Sequence, residues 1–366
     1  MELFVQVAPG LEPALERELA DLGQRGSAEP GGIVLRGSRE LVARLNLELA
    51  TASKVLVTAG SFRATGLGEL ERKAADLPWA AFAAPGARAA WRVTTRKSRL
   101  YHTGAIAERL DRAMAAALGR PPAAEGDEVP FVVRVVRDRV VIRADASGEH
   151  LHRRGYRLRP TKAPLRETLA AGVLRLVDWT PDRPLLDPMC GSGTFPIEAA
   201  LRAGRHAPGQ QRSFAFERWP GADSTGLETL RTEALRRVVP VEVPIVGTDR
   251  DAGAVEAARD NARGAGLSSP PRFERAAISE ARPPDGAEGG LLVCNPPWGR
   301  RVGDPGPLRD LHARLGQVAR RHFAGWTLTL VSPSAELVRQ ADRRAARVAT
   351  IPVGGVTVGV WSVPEL

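Results

Sequence analysis

The stretch LLDPMCGSGT, residues 185–194, indicates the fold of this chain. Apolar residues lead into an acidic one, Asp187, and a glycine-rich turn then opens a helix. Glycines at 191 and 193 let the backbone approach a ligand closely and take positive φ values. A Walker-type phosphate loop would require a Gly-Lys-Ser/Thr sequence, which is absent. A dinucleotide fingerprint would require a third glycine where Pro196 stands, so the loop favours a cofactor without phosphates.

From about residue 160 onward, strand and helix patterns alternate. Such alternation predicts an α/β fold with a mostly parallel sheet and helices on both faces. Ligands in these sheets bind at the carboxyl ends of the strands. The predicted strands end at Asp187, Asp249 and Cys294, and two more cover residues 326–331 and 356–363.

A second motif, GTDRD at residues 247–251, places acidic side chains just past a strand. A carboxylate in this position can accept hydrogen bonds from both hydroxyls of a ribose. Asp249 is the better candidate because it comes first after the strand. Asp251 can equally be the N-cap of the next helix.

A third motif, Asn295-Pro296-Pro297-Trp298, follows the strand at 291–294. Prolines fix φ and carry no N–H, so their carbonyls remain free to accept. The Asn295 side-chain oxygen and the Pro296 carbonyl are thus predicted to accept from one NH2 group. Trp298 offers a flat face on which a base can stack.

The N-terminal 155 residues read as small α+β modules. Residues 3–7 predict a strand, 11–22 an amphipathic helix and 33–35 a second strand. Ser38 has the character of a helix N-cap. Residues 129–136 and 139–144 predict paired strands around a turn.

Charge is the next informative feature, because the net charge is +10 and the pI about 10.7. Arginine supplies 48 of the 52 basic residues, so a general compositional bias also explains part of this excess. The local excess is more specific. From residue 153 to 175 there are seven basic residues and one acidic residue, which predicts a contact with nucleic acid.

The remaining composition is that of a soluble globular protein, with 43% hydrophobic and 26% charged residues. No apolar run is long enough for a transmembrane helix, and no signal peptide is evident, so a cytoplasmic location is expected. The two cysteines, Cys190 and Cys294, form no metal-ligand cluster. We expect no metal, no membrane contact and no obligate protein partner.

The order of these motifs resembles the THUMP-domain RNA guanine methyltransferases, which methylate the 2-amino group of guanine in ribosomal or transfer RNA. The resemblance covers nearly the whole chain. It rests on the three motifs above and on RKSRLYHTGAI at 96–106, SGEHLHRRGYR at 147–157, KAPLRETLAA at 162–171 and DNARGAGL at 260–267. The fit is closest to the N-terminal half of the bacterial large-subunit rRNA enzymes. It implies a ferredoxin-like module at 1–50, a THUMP RNA-binding domain at 51–155 and a Rossmann-like class I methyltransferase domain at 156–366.

The resemblance also implies site residues, with structured RNA as partner and S-adenosylmethionine as cofactor. The residues implied for the cofactor are Lys162, Thr168, Asp187, Cys190, Gly191, Gly193, Thr194, Asp249, Arg250 and Asn295. Those implied for catalysis are Asn295, Pro296, Pro297 and Trp298. Those implied for RNA binding are Lys97, Arg99, His102, Arg153, Arg154 and Arg157.

Two positions depart from the family pattern. Tyrosine or phenylalanine usually stands where this chain has Trp298. An acidic residue that binds the adenine amino group is often found near Ala277, and Ser279 or Glu280 are possible substitutes here.

Alternative functions also fit parts of the sequence. The same reaction on tRNA fits the layout, and so does a non-catalytic RNA-binding or ribosome-assembly protein with a relic pocket. DNA adenine and protein glutamine methylation share the Asn-Pro-Pro-aromatic motif, but the THUMP-like segment argues against both. Pro196 disfavours a nicotinamide enzyme.

Overall fold

A computed structural model describes residues 1–119, 128–159, 165–298 and 306–366. Lys162, expected near the cofactor, lies outside these residues. The described chain forms two seven-stranded sheets, one from each half of the sequence.

The N-terminal half supplies seven strands and four α-helices. In chain order they are β1 (Glu2–Gln6), α1 (Glu12–Asp21), β2 (Ser27–Glu29), β3 (Gly32–Arg36), α2 (Arg39–Glu48), β4 (Lys54–Arg63), α3 (Leu67–Ala75), β5 (Arg88–Arg96), α4 (Thr103–Leu118), β6 (Glu128–Val136) and β7 (Arg139–Asp145). The strand order is β2-β3-β1-β4-β7-β6-β5. All neighbours are antiparallel except β5 and β6.

The first four strands and two helices form a ferredoxin-like β-α-β-β-α-β unit. Its fourth strand is β4, which pairs with β1 through Leu3 and Val57. The same β4 also pairs with β7, for example Val57 with Ala144. The predicted boundary at residue 50 therefore leaves out the last strand of the first module, and a single sheet runs through both modules.

Local sequence signals explain two details of this sheet. The Ser38 side chain accepts a hydrogen bond from the Leu41 amide at 3.2 Å, which confirms it as the N-cap of α2. Arg137 and Asp138 join β6 to β7 with φ values of 49° and 63°. Two successive positive φ angles match the twist of a tight hairpin.

The C-terminal half alternates strands and helices as predicted. Its elements are α5 (Glu167–Leu176), β8 (Leu185–Asp187), α6 (Thr194–Ala203), α7 (Ser224–Arg236), β9 (Ile245–Asp249), α8 (Ala252–Gly264), β10 (Arg272–Arg275), β11 (Leu291–Cys294), α9 (Gly306–His322), β12 (Thr327–Ser332), α10 (Ala335–Ala341), β13 (Ala346–Val353) and β14 (Val356–Val363). The strand order is β10-β9-β8-β11-β12-β14-β13. The first five strands in this order are parallel, and β14 runs antiparallel to both of its neighbours.

The order of the sheet reverses beside β8. From β8 the chain continues outward to β9 on one side, and it later returns to place β11 on the other side. This reversal is the topological switch point at which open α/β sheets bind ligands. The central strand β11 is apolar throughout, and all four of its residues are buried, because helices cover both faces.

The two halves pack closely against each other. Gly10 has a φ of +92°, and a Cβ there would lie 2.1 Å from the Thr350 carbonyl oxygen. A Cβ on Gly172, in α5, would lie 2.6 Å from a methyl carbon of Leu11. Across the same contact Arg175 forms an ion pair with Asp21 at 2.6 Å. The C-terminal half is thus held to the N-terminal half by direct backbone and side-chain contacts.

Both cysteines are buried free thiols. No helix within the described ranges is long and apolar enough to span a membrane.

Candidate active site

Three polar side chains meet at the carboxyl edge of the second sheet. Asp187 ends β8, Asp249 ends the neighbouring β9, and Asn295 follows β11 on the other side. The parallel registers pair Asp187 with Gly247 and Leu186 with Leu292, so Asp249 and Asn295 lie at the same edge, two residues beyond the level of Asp187. The three motifs predicted from sequence therefore lie together at the switch point.

The glycine-rich turn after β8 is folded tightly against β9. Gly191 and Gly193 have φ values of +52° and +84°. The Cys190 amide donates to the Thr248 carbonyl at 2.9 Å. A Cβ on Gly193 would lie 3.0 Å from both the Ala258 Cβ and the Phe273 ring. Glycine suits this position because its φ is positive and because Ala258 of α8 and Phe273 of β10 leave little space for a side chain.

Asp249 is bonded to this turn. One carboxylate oxygen accepts from the Gly191 amide at 3.0 Å, and the other accepts from the Asp251 amide at 3.0 Å. Asp251 itself caps α8, because its side chain accepts from the Gly253 amide at 2.8 Å. The structure therefore separates the two aspartates: Asp251 serves as the helix cap and Asp249 faces the glycine turn.

Asp187 is a buried carboxyl with a perturbed pKa. Only 2% of its surface is exposed, and one oxygen accepts from the Met189 amide at 3.1 Å. Burial is the main cause that raises its pKa well above the usual value, and the negative charge of Asp249 adds to the effect. A cationic ligand group beside it would favour the ionised form. Burial likewise raises the pKa of the Cys190 thiol well above its usual value, so this thiol is not an activated nucleophile.

Arg157 braces the glycine turn, which corrects the expectation that it contacts RNA. Its guanidinium donates to Glu167 at 2.7 Å, to the Ser192 hydroxyl at 3.2 Å and to the Thr194 hydroxyl at 3.1 Å. It also donates to the Leu165 carbonyl at 3.0 Å. These bonds use four of the directions in which a guanidinium can donate. The Thr194 hydroxyl therefore helps to fix the glycine turn by accepting a hydrogen bond from Arg157.

Arg154 is a second correction, because its side chain is buried and paired with a carboxylate. It pairs with Glu198 at 3.3 Å and donates to the Leu151 carbonyl at 2.8 Å. Tyr156 donates to the other Glu198 oxygen at 2.9 Å. We call residues 146–159, which follow β7, the connecting segment. The ion pair between Arg154 and Glu198 joins this segment to α6.

Asn261 is a structural residue of the site to which sequence reasoning gave no role. It is fully buried, and its side-chain oxygen accepts from the Leu158 and Arg159 amides at 2.9 and 3.1 Å. Its NH2 group donates to the Ser192 carbonyl at 3.1 Å. Asn261 thus ties the connecting segment to the glycine turn. Its position in the DNARGAGL stretch, which contributes to the family resemblance, is the sequence feature that could have indicated this role.

The Asn-Pro-Pro-Trp turn carries a bond that the sequence did not indicate. The Trp298 indole nitrogen donates to the Asn295 side-chain oxygen at 2.9 Å. Pro296 is buried, whereas Pro297 is exposed. Trp298 is partly buried and packs against the main hydrophobic core, so one part of its ring system is structural and another part is accessible.

The other expected residues are more dispersed. Lys97, Arg99 and His102 are exposed in the loop between β5 and α4, and Arg153 is exposed in the connecting segment. Beside them the rings of Tyr101 and His102 lie 4.6 Å apart, and Tyr101 is 68% exposed.

Near the glycine turn, Thr168 is buried in α5 and Arg250 is exposed after β9. Glu280, weighed as a substitute for adenine binding, accepts from the Ala277 amide at 2.7 Å. Its carboxylate is already engaged in a local turn. In the residues that the structure describes, no group of acidic, histidine and cysteine side chains is arranged for a metal.

Comparison with known proteins places this geometry in a family. A family model described as the RMKL-like methyltransferase domain matches residues 154–358, more than half of the chain. The chain belongs to this family. A second model, the RlmL ferredoxin-like domain, matches residues 2–56 and so ends three residues into β4.

Relatives with curated names match the whole chain. The ribosomal RNA large subunit methyltransferase K/L of Syntrophotalea carbinolica is 36% identical over 95% of this chain and 51% of its own length. The chain therefore spans about half the length of that relative. The Synechocystis protein slr0064, whose name describes it as an RNA methyltransferase, is 30% identical over 96% of this chain and 94% of its own.

A solved structure supports the fold over its full length. SMU.472, described as a methyltransferase complexed with SAH, superimposes with a TM-score of 0.91 at 29% identity. The match covers 100% of this chain and 98% of that one.

Proposed function

We propose that this protein is an S-adenosylmethionine-dependent methyltransferase that modifies the exocyclic 2-amino group of a guanine in structured RNA, with large-subunit ribosomal RNA as substrate. The observation that carries the proposal is the meeting of Asp187, Asp249 and Asn295 at the switch point. The K/L relative supports the choice of ribosomal RNA.

The residues present fit the cofactor. The carboxylate of Asp187 suits the ammonium of its methionine part. Asp249, already accepting from Gly191, suits the ribose hydroxyls. The positive φ values of Gly191 and Gly193 allow close backbone approach. SMU.472, which is similar over its full length, was solved with the demethylated product of this cofactor.

The Asn-Pro-Pro-Trp turn fits the target amine. The lone pair of a guanine 2-amino nitrogen is delocalised into the ring, which makes this nitrogen a weak nucleophile. The Asn295 oxygen and the Pro296 carbonyl accept its two hydrogens and favour a more tetrahedral nitrogen. Such dipoles stabilise the positive charge that develops during methyl transfer. When bound, the cofactor supplies an electrophilic methyl group.

Orientation supplies the rest of the rate enhancement. The guanine must leave its stack to reach the site, and the accessible face of Trp298 provides a surface on which it can rest. Holding the amine and the methyl donor in line turns a bimolecular reaction into an effectively unimolecular one.

The N-terminal sheet is proposed to bind the RNA. Lys97, Arg99, His102 and Arg153 present exposed cationic or aromatic groups. Recognition of structured RNA depends on shape and backbone contacts more than on sequence. This division assigns RNA affinity to residues 1–155 and the chemistry to the second sheet.

Mass spectrometry of rRNA and tRNA nucleosides from a deletion strain tests the proposal. We expect N2-methylguanosine to fall in large-subunit rRNA and to return when the intact gene is restored, but not when Asn295→Ala is supplied. A loss confined to tRNA would redirect the proposal to tRNA. An unchanged nucleoside profile, together with no cofactor binding by the purified protein, would favour a non-catalytic assembly role.

A further inference from the structure

A cavity lies between the two halves of the chain, away from the glycine turn. It has a volume of about 570 Å³ and is lined by α1 and the end of α2 on one side and by α5 and the end of α6 on the other. Since α6 has ten residues, its C-terminal end is roughly 15 Å from the glycine turn at its start. An occupant of this cavity is distinct from the cofactor.

The cavity is lined by four arginines and four carboxylates. All four carboxylates are already engaged, and Glu198 accepts from Arg154 and Tyr156. Asp21 pairs with Arg175 at 2.6 Å, and Glu48 pairs with Arg237 at 2.9 Å. Glu18 accepts from the Ala50 and Thr51 amides at 2.8 and 2.9 Å.

The other two arginines of the lining are not matched in this way. Within the described ranges, neither Arg202 nor Arg205 forms an ion pair with a carboxylate. The Nη1 atom of Arg202 is buried and has no hydrogen-bond partner. Its guanidinium lies over the Trp179 ring, 5.7 Å from the centroid. Burial and then the charge of Arg175 lower the pKa of Arg202 to about 10. A buried donor without a partner is costly, and the nearby charges of Glu18, Asp21 and Asp178 act on Arg202 but do not accept from this atom.

We propose that this cavity binds a phosphate group through Arg202 and Arg205. A guanidinium matches the geometry of phosphate oxygens with several parallel donors. The phosphate belongs either to an RNA backbone or to a free phosphorylated compound. The site joins the two halves of the chain, so an occupant stabilises their contact. This inference goes beyond the proposed methyl transfer and does not depend on it.

Inorganic phosphate is the first probe. Thermal unfolding of the full chain is followed with increasing phosphate and compared with chloride at equal ionic strength. We expect a saturable, phosphate-specific rise in the melting temperature. Arg202→Gln and Arg205→Gln should each weaken the apparent phosphate affinity at least tenfold. Arg205 is exposed, so its variant keeps the test valid if Arg202→Gln destabilises the fold.

Arg236→Gln is the matched control. Arg236 is exposed in the last turn of α7, next to the lining residue Arg237. This variant carries the same change of charge just outside the cavity and should keep the parental phosphate response. Equal stabilisation by phosphate and chloride would overturn the proposal, as would a full phosphate response in both Arg202→Gln and Arg205→Gln.

RNA binding identifies the source of the phosphate. If an RNA backbone occupies the site, inorganic phosphate should compete with RNA, and Arg202→Gln should reduce the slope of log K against log salt by about 1. If phosphate binds but RNA affinity and slope stay parental, the ligand is a free phosphorylated compound. Cofactor affinity and single-turnover methyl transfer, measured on the same variants, separate this result from a failure of the proposed activity.

Discussion

The indole nitrogen of Trp298 donates a hydrogen bond to the side-chain oxygen of Asn295 at 2.9 Å. An amide oxygen has two lone pairs, so one remains available for a target amine. The indole also fixes which end of the Asn295 amide is the acceptor. Trp298 therefore has two separable properties, a stacking face and a donor that orients Asn295. Phenylalanine at this position would provide only the first.

Replacing Trp298 with phenylalanine tests the donor separately from the ring. We expect Trp298→Phe to lower the single-turnover rate by roughly 2- to 10-fold, because a net hydrogen bond contributes about 0.5–1.5 kcal/mol. Trp298→Tyr restores a ring with a polar end and should keep most activity. Trp298→Ala also removes the stacking face, which costs about 1–3 kcal/mol in capture of the base.

Melting curves of these variants control for structural loss, because Trp298 packs partly against the core. If Trp298 were only a core residue, Trp298→Ala would lose about 3–5 kcal/mol of stability. Parental turnover by a folded Trp298→Phe enzyme would refute the orienting role.

Asn295→Ala tests the acceptor itself. Loss of one preorganised dipole costs about 3–4 kcal/mol, or a hundredfold or more in rate, by analogy with a lost oxyanion-hole donor. We expect the single-turnover rate to fall far more than the cofactor affinity measured by calorimetry, because the main role proposed for Asn295 is toward the target amine. A folded Asn295→Ala enzyme that turns over at the parental rate would exclude the proposed mechanism.

Asp249, which ends β9, and Asp251, two residues later, provide a matched pair of variants for testing the cofactor site. Asp249→Ala removes the partner of the Gly191 amide and the proposed ribose acceptor, so we expect a large loss of cofactor affinity by calorimetry. Asp251→Ala removes the cap of α8 and should lower stability by about 1 kcal/mol with near-parental affinity. Equal affinities of both variants would remove Asp249 from the cofactor site.

Asp187 predicts an unusual dependence of stability on pH. Folding raises its pKa, so its contribution to stability is full below the unfolded-state pKa of about 3.9 and is lost as the pH rises through the higher folded-state value. Asp187→Asn mimics the protonated carboxyl. Without cofactor, the variant should melt at a higher temperature than the parent at pH 7 but not at pH 4, and it should bind cofactor more weakly. Parallel melting profiles across this range would contradict the raised pKa.

Gly10 and Gly31 test the contact between the two halves of the chain. Both have positive φ values, +92° and +86°, but a Cβ on Gly10 would meet the Thr350 carbonyl oxygen at 2.1 Å, whereas one on Gly31 would meet nothing within 4 Å. Gly31→Ala should cost about 1–2 kcal/mol for backbone strain alone. Gly10→Ala should cost clearly more in denaturant unfolding. Equal losses would show that the contact adds nothing to stability.

The sequence predicted that the three motifs lie at one edge of the sheet, because its signals are local. Asp187 and Asp249 end short strands, Asn295 follows another, and parallel strands bring their carboxyl ends to the same edge. The roles of these residues in the site stay predictions, and the order of the strands was not predicted. The Ser38 cap and the hairpin at Arg137 were also local signals, and both are confirmed.

The arginine-rich segment was interpreted less well because charge does not reveal which way a side chain points. Arg154 pairs with Glu198 and Arg157 with Glu167, and neither partner is adjacent in sequence. The same limit applies to the Trp298 bond, since the motif gives the residue types but not the rotation of an amide. The orientations of these side chains depend on partners that are distant in sequence, and a single sequence does not identify those partners.

The shared strand β4 has a consequence for how this architecture can be recombined. A chimera that exchanged only the first 50 residues would place a foreign unit against β4 and would have to rebuild its pairing with β1. A graft of residues 1–145 would carry the entire N-terminal sheet and leave every strand with its native neighbours. Exchange between related genes should therefore succeed at a breakpoint after β7 far more often than at one inside the sheet.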